Sequence, residues 1–339
     1  MQVARLYAAG DIRVSQEPAP TPGPGDVLIK VTAVGLCGSD LHWFEDGGIG
    51  DASIDRPLVP GHEFAGVIAQ GPDAGQRVAV DPAIACLACD LCLAGHPNLC
   101  VNIEFAGHSR DGALREYLAW PSRCVHPVPD SFSDADAAML EPLGVAIHMM
   151  DLSHMQLADT VLVVGCGPIG LLAMQLARVA GAASLVAVEP LAHRREAASS
   201  WADVILDPGQ ADFDQALSQA LGPLGAQRVL ECAGTDSAID ISVAGARPGA
   251  TVVLAGIPST TFSHFDAAVA RRKGLTFRMV RRMKDVYPRA IALVSSGQVD
   301  VTSLVTDSFA LADAQLACEV ACRRSGLKVV INTQDIGRQ

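Results

Sequence analysis

Nowhere does this chain concentrate positive charge. Its basic runs are short, Arg271-Arg272-Lys273 and then Arg281 with Arg282, Lys284 standing nearby, and its formal net charge is −12. Nucleic acids and anionic membranes bind through a basic face, so neither is expected as a partner, and a small molecule is. A secretory leader is not expected either, because charge at Arg5 interrupts the first residues before an apolar core can form. The longest apolar run, residues 161–177, approaches the length of a membrane span. It is broken by Gly165, Gly167, Pro168 and Gly170, which suits a buried strand, a turn and a helix instead. These absences point to a cytoplasmic protein, in which ten cysteines stay reduced and clustered thiols hold metal rather than form disulfides.

What remains is half hydrophobic and 18% charged, the composition of a compact soluble protein, and 339 residues suffice for two domains with separate cores. Up to about residue 140 the chain reads as short strands between turns. Pro18, Pro20, Pro22, Gly23, Pro24 and Gly25 form a rigid loop before a strand at 27–31, with further strands at 67–69 and 77–80. From Thr160 strands alternate with helices. Strands at 160–164, 184–188, 204–206, 228–231, 251–255 and 275–277 predict a six-stranded, doubly wound parallel sheet. A helix at about 286–295 and a strand at 328–331 follow a sheet that is already complete, so this tail is expected to return to the first domain. The expected division is 1–145, 146–278 and 279–339.

Three patterns carry chemistry. Gly35-Leu36-Cys37-Gly38-Ser39-Asp40-Leu41-His42 offers a thiol, a hydroxyl and an imidazole, and His62 with Glu63 adds two donors; a metal centre needs at least three. Cys86, Cys89, Cys92 and Cys100 follow the spacing C-x2-C-x2-C-x7-C, with Gly95, His96 and Pro97 turning the chain. Four thiolates close a tetrahedral zinc site and leave no position for substrate, which makes that site structural; an iron–sulfur cluster competes on ligand type. In the third pattern, Gly165-Cys166-Gly167-Pro168-Ile169-Gly170 stands between a strand and a helix. Gly165 permits the tight turn, Gly167 lets a pyrophosphate approach the backbone, and Gly170 allows the helix to pack closely on the sheet. Glu189, 24 positions after Gly165, ends the next strand where an acidic side chain binds the adenosine ribose. A carboxylate there repels a 2′-phosphate and favours NAD over NADP, while Arg194 and Arg195 weigh the other way.

With Glu141-Pro142-Leu143 added, these motifs in this order resemble the zinc-dependent medium-chain alcohol dehydrogenases over essentially the full chain. The stretch from Glu141 to His148, and Arg282 with Tyr287 and Pro288, resemble the polyol branch of sorbitol, xylitol and idonate dehydrogenases. The resemblance implies a β-rich GroES-like catalytic domain joined to a Rossmann domain. It implies a catalytic zinc on Cys37, His62 and a carboxylate, either Glu63 directly or Glu141 directly or through water, and a structural zinc on the four-cysteine lobe. NAD would lie on Gly165, Gly167, Pro168, Ile169 and Gly170, with Glu189 and Arg194 beside its ribose. Ser39 and His42 would relay a proton, and Trp43 and Arg282 would line the substrate pocket; Arg281 departs from the aromatic residue expected beside that arginine. The implied reaction moves a hydride from a secondary hydroxyl of a polyol, sugar acid or related small alcohol to NAD+, in a homotetramer or homodimer. Aldose, threonine-type and simple alcohol dehydrogenases are the alternatives on the same scaffold, and a non-catalytic zinc- and nucleotide-binding protein is the alternative outside enzymes.

Overall fold

The computed structural model describes residues 1–50 and 52–334, so the last five residues of the expected 279–339 segment lie outside it. Two compact units are present: Met1–Pro142 with Tyr287–Ser295 and the chain from Val301, and Leu143–Val286 with Ser296–Asp300.

The first unit is built on a seven-stranded sheet whose central strand is Asp26–Gly35. Strand Glu63–Ile68 pairs antiparallel with it on one side, and Lys328–Asn332 pairs antiparallel with its last residues on the other. Arg77–Val80 and Val125–Pro127 extend the sheet beyond Glu63–Ile68, and Val305–Ala310 lies outside Lys328–Asn332. Tyr117–Pro121 pairs with the first half of the central strand. Both sequence-expected strands at its middle are longer than pattern reading suggests. Gly66 interrupts the apolar signal, and it is there because a Cβ would run into the Lys30 carbonyl of the neighbouring strand. Val31, Val34, Phe64, Val80, Trp120 and Ile331 are at most 1% exposed and form the core; the Trp120 indole N–H donates to the Asp81 carbonyl at 2.9 Å.

The second unit holds six parallel strands in the order Val204–Leu206, Ser184–Val188, Thr160–Val164, Ala226–Glu231, Ala246–Leu254, Thr276–Met279. This is the Rossmann arrangement, in which strand order reverses beside Thr160–Val164 and opens a crevice for ligand. The first three strands coincide with those expected. The fifth begins five residues early, at Ala246, because Ala226 pairs with Ala246 before a register break; Gly249 at φ +76° makes the kink, and Arg228 then pairs with Thr251. The run at 161–177 is a strand, a turn and the helix Pro168–Val179, and no helix among the described residues is long and apolar enough to cross a membrane.

Leu162 is fully buried at the centre of this sheet and occupies the space that a side chain at Gly245 would need. Leu162→Ala is expected to destabilise the protein by about 2–5 kcal/mol, seen as an earlier urea transition in far-UV circular dichroism. An unchanged midpoint would contradict the packing described.

Candidate metal centres and dinucleotide loop

Gly35, the last residue of the central strand, pairs with Glu63, the first residue of its neighbour. Cys37 lies two residues beyond one end and His62 one residue before the other, so the pairing brings them together. One ligand atom from each of Cys37, His62 and Glu63 lies within 4.8 Å of the others. Cys37 is also the N-cap of helix Gly38–Asp46, and Gly61, at φ +93°, turns the chain into the strand.

Asp40, which pattern reading gave no role, organises the group from within that helix. It is 3% exposed, accepts hydrogen bonds from the backbone N–H of Cys37 at 3.0 Å and Gly61 at 3.2 Å, and sets Oδ1 3.5 Å from His62 Nδ1. That leaves Nε2 as the nitrogen that could ligate a metal, with a carboxylate behind the imidazole fixing its tautomer. Burial alone would lower the His62 pKa, but the charges of Asp40 and Cys37 outweigh it and hold it well above the ordinary value. Asp40 is held below the usual carboxylate range despite burial, by His62 and the two backbone donors. A divalent cation bound here would take the place of the imidazole proton.

Glu63 is 1% exposed, and both its oxygens accept from Lys328 Nζ, at 2.8 and 2.7 Å. A Cβ on Gly35 would overlap this carboxylate, so glycine is required there. Lys328 is the second residue that sequence reading missed; its only signal is a charge opening the apolar run Val329-Val330-Ile331. Glu141, in the first turn of helix Leu140–Ser153, is 5% exposed and stands outside the group of three donors. Burial raises its pKa to about 8, with Glu63 adding to the rise and His62 and Lys328 opposing it, so it shares their electrostatic environment.

Ser39, His42 and Trp43 share helix Gly38–Asp46 with Asp40. His42 Nδ1 pairs with Asp46 Oδ2 at 3.0 Å, one turn on. Trp43 is 6% exposed and meets His108 edge-on, ring centroids 5.6 Å apart, while Phe105 tilts against His62 at 5.3 Å. The segment following the cysteine lobe therefore walls the open donor group. In the second unit, Arg282 adopts φ +56°, an uncommon conformation for a non-glycine residue.

The sulfur atoms of Cys86, Cys89, Cys92 and Cys100 also lie within 4.8 Å of one another. Cys89 caps the short helix Asp90–Leu93, and the Cys86 N–H points at Cys100 Sγ, 3.3 Å away. The backbone N–H groups of Ala88 and Cys89, then Cys100, bring the Cys86 pKa down to about 6, whereas desolvation and its thiol neighbours push Cys92 up to about 12. Four soft donors at this spacing fit a tetrahedral zinc ion and leave none of them spare.

The dinucleotide loop follows the roles expected of its glycines. Gly165 has φ +95°, Gly167 caps helix Pro168–Val179, and a Cβ on Gly170 would strike the Gly165 carbonyl. Beside Gly167 the nearest atom to an added Cβ is Arg194 Nη1 at 3.5 Å, so its backbone is approachable. Glu189 is 3% exposed; Oε2 accepts from Cys166 N–H at 2.7 Å and Oε1 from Leu191 N–H at 3.0 Å. Arg195 is committed to Asp207 at 3.0 Å and to the carbonyls of Glu189 and Pro190. These groups fit a dinucleotide whose ribose faces a fixed carboxylate.

Comparison with known proteins agrees with this geometry. The alcohol dehydrogenase GroES-like domain matches residues 23–130, and the zinc-binding dehydrogenase domain matches residues 168–296. Sorbitol dehydrogenases of Bacillus subtilis and Bos taurus are each 33% identical to this chain, the first over 98% of it and 97% of the relative, the second over 96% and 94%. A protein of Sinorhizobium meliloti, assigned as a zinc-binding dehydrogenase and solved bound to NADP, matches with a TM-score of 0.89 and 30% identity, covering 98% of this chain and 99% of its own.

Metal analysis of the purified protein is expected to find one zinc ion for each of the two donor groups. Cys92→Ser should lose the ion of the four-cysteine lobe and lower the thermal midpoint by several degrees. A variant that retains both ions would refute the closed site.

Proposed function

The chain belongs to the zinc-dependent medium-chain alcohol dehydrogenase family, and from that premise we propose that it oxidises a secondary hydroxyl of a polyol, sugar acid or related small alcohol to a ketone, with NAD+ as acceptor. The observation that carries this reading is the convergence of Cys37, His62 and Glu63, three donors that leave a coordination position for substrate. When bound, zinc supplies Lewis acidity to the substrate hydroxyl and the dinucleotide supplies the hydride acceptor. Glu141 is the alternative carboxylate, direct or through water.

The protein's own groups do the rest. Ser39 receives the hydroxyl proton and His42 passes it outward; with Nδ1 engaged by Asp46 and 16% of its side chain exposed, His42 exchanges the proton at Nε2. Trp43 packs on substrate carbon, and Arg282 donates hydrogen bonds to substrate hydroxyls or a carboxylate. NAD is favoured because the Glu189 carboxylate, pinned by two backbone N–H groups, meets a 2′-phosphate with like charge, and because Arg195 is already engaged. A polyol is supported by the two sorbitol dehydrogenases, the ten free cysteines suit a cytoplasmic location, and the family resemblance implies a homodimer or homotetramer.

Steady-state kinetics over four- to six-carbon polyols and sugar acids, with NAD+ and NADP+ side by side, tests the reading. NADH formation is expected with one of them, and aldoses, threonine and simple alcohols in the same panel separate the rival substrates. Full turnover by Cys37→Ser or by metal-stripped protein would sink the mechanism. Glu189→Ala should reduce discrimination against NADP+ by roughly tenfold or more, which is about 1.4 kcal/mol or above; an unchanged ratio would remove Glu189 from cofactor selection.

A further inference from the structure

We propose that Lys328 is a positioning residue for the open metal site and sets the affinity of Cys37, His62 and Glu63 for a divalent cation. The proposal rests on the reading of those three residues as zinc donors. Lys328 opens the strand Lys328–Asn332 and is 4% exposed. Its ammonium has three N–H groups, and three acceptors match them: Glu63 Oε1 at 2.8 Å, Glu63 Oε2 at 2.7 Å and the Leu36 carbonyl at 3.0 Å.

The two ties act on different ligands. The pair with Glu63 fixes the direction of a carboxylate that still has lone pairs for a cation, and partners of that kind orient a ligand and tune its affinity. The bond to Leu36 holds the residue immediately before Cys37, whose N–H is bonded in turn to the Val329 carbonyl at 2.9 Å. One side chain thus registers the thiolate against the carboxylate. Stability alone accounts poorly for the pair, since apolar residues of similar volume often replace a buried ion pair without loss. Charge supplies a further reason: Cys37, Glu63, Asp40 and Glu141 crowd acidic groups around this site, and Lys328 brings a fixed cation against Glu63.

The test is a chelator titration of the zinc-loaded protein, repeated after cobalt substitution so that each site reports through its own visible bands. The four-cysteine lobe serves as an internal control. Lys328→Met is expected to weaken metal binding at Cys37, His62 and Glu63 by roughly 10- to 100-fold while the lobe keeps its ion. Lys328→Arg, which retains the charge and can fork onto the carboxylate, should recover most of the loss. If Lys328→Met is too unstable to purify, Lys328→Gln carries the test, because it keeps hydrogen bonding without charge and must show the same selective loss. Affinity within twofold of wild type overturns the proposal, as does loss of both metals in step, the mark of a general structural role. A wild-type protein that binds metal only at the lobe overturns the open site itself and this proposal with it; failure in the variants alone overturns only the proposal.

Discussion

The pairing of Gly35 with Glu63 is the constraint on which the open metal site depends. In a sheet, side chains alternate between faces, so a slip of one residue would send Glu63 to the opposite face and shift His62 away from Cys37. The register is protected by burial, since Val34 and Phe64, directly opposed, both sit in the core. It is also protected by a missing atom. Any side chain on Gly35 would occupy the place of the Glu63 carboxylate, so the residue next to the ligand contributes by having none.

The two donor groups are built on opposite physical terms. In the four-cysteine lobe, nearby backbone N–H groups lower the proton affinity of an exposed thiol, and the donors come from one short stretch of chain. At Cys37 and His62 the supporting groups are the buried carboxylate of Asp40, from the helix that Cys37 caps, and the buried ammonium of Lys328, from a distant part of the chain. The first arrangement suits an ion through local geometry. The second could hold one only through the fold.

That difference explains how much was legible in the sequence. The cysteine lobe and the loop from Gly165 to Gly170 are local, so spacing alone exposes them, and the six strands of the second unit announce themselves as apolar runs between turns. Cys37, His62 and Glu63 could be named as donors, but the choice between Glu63 and Glu141 was open because chain separation says nothing about which strands are neighbours. The structure groups Glu63 with the other two and sets Glu141 close by. Lys328 was invisible for the same reason: a charge at the start of an apolar strand looks like an ordinary strand end. Asp40 lay within a recognised motif, yet its bonds to two backbone N–H groups required the turn at Gly61 to be seen. Strand limits at Glu63 and Ala246 differ from the expected ones because a glycine breaks the apolar signal in each, Gly66 within a continuous strand and Gly249 at a kink with φ +76°.

The long separation in sequence between Lys328 and Glu63 has a consequence for biosynthesis. Chains leave the ribosome from the N-terminus, and segments fold as they become available. Cys86 to Cys100 emerge early and can take up an ion as soon as their own loops have formed. The central strand, by contrast, waits for a neighbour that is translated 265 residues after Glu63, and until then Glu63 lacks the Lys328 ammonium and the Leu36 carbonyl its Lys328 donor. An ion could therefore enter the four-cysteine lobe of a nascent chain before the group of Cys37, His62 and Glu63 has its supporting ammonium.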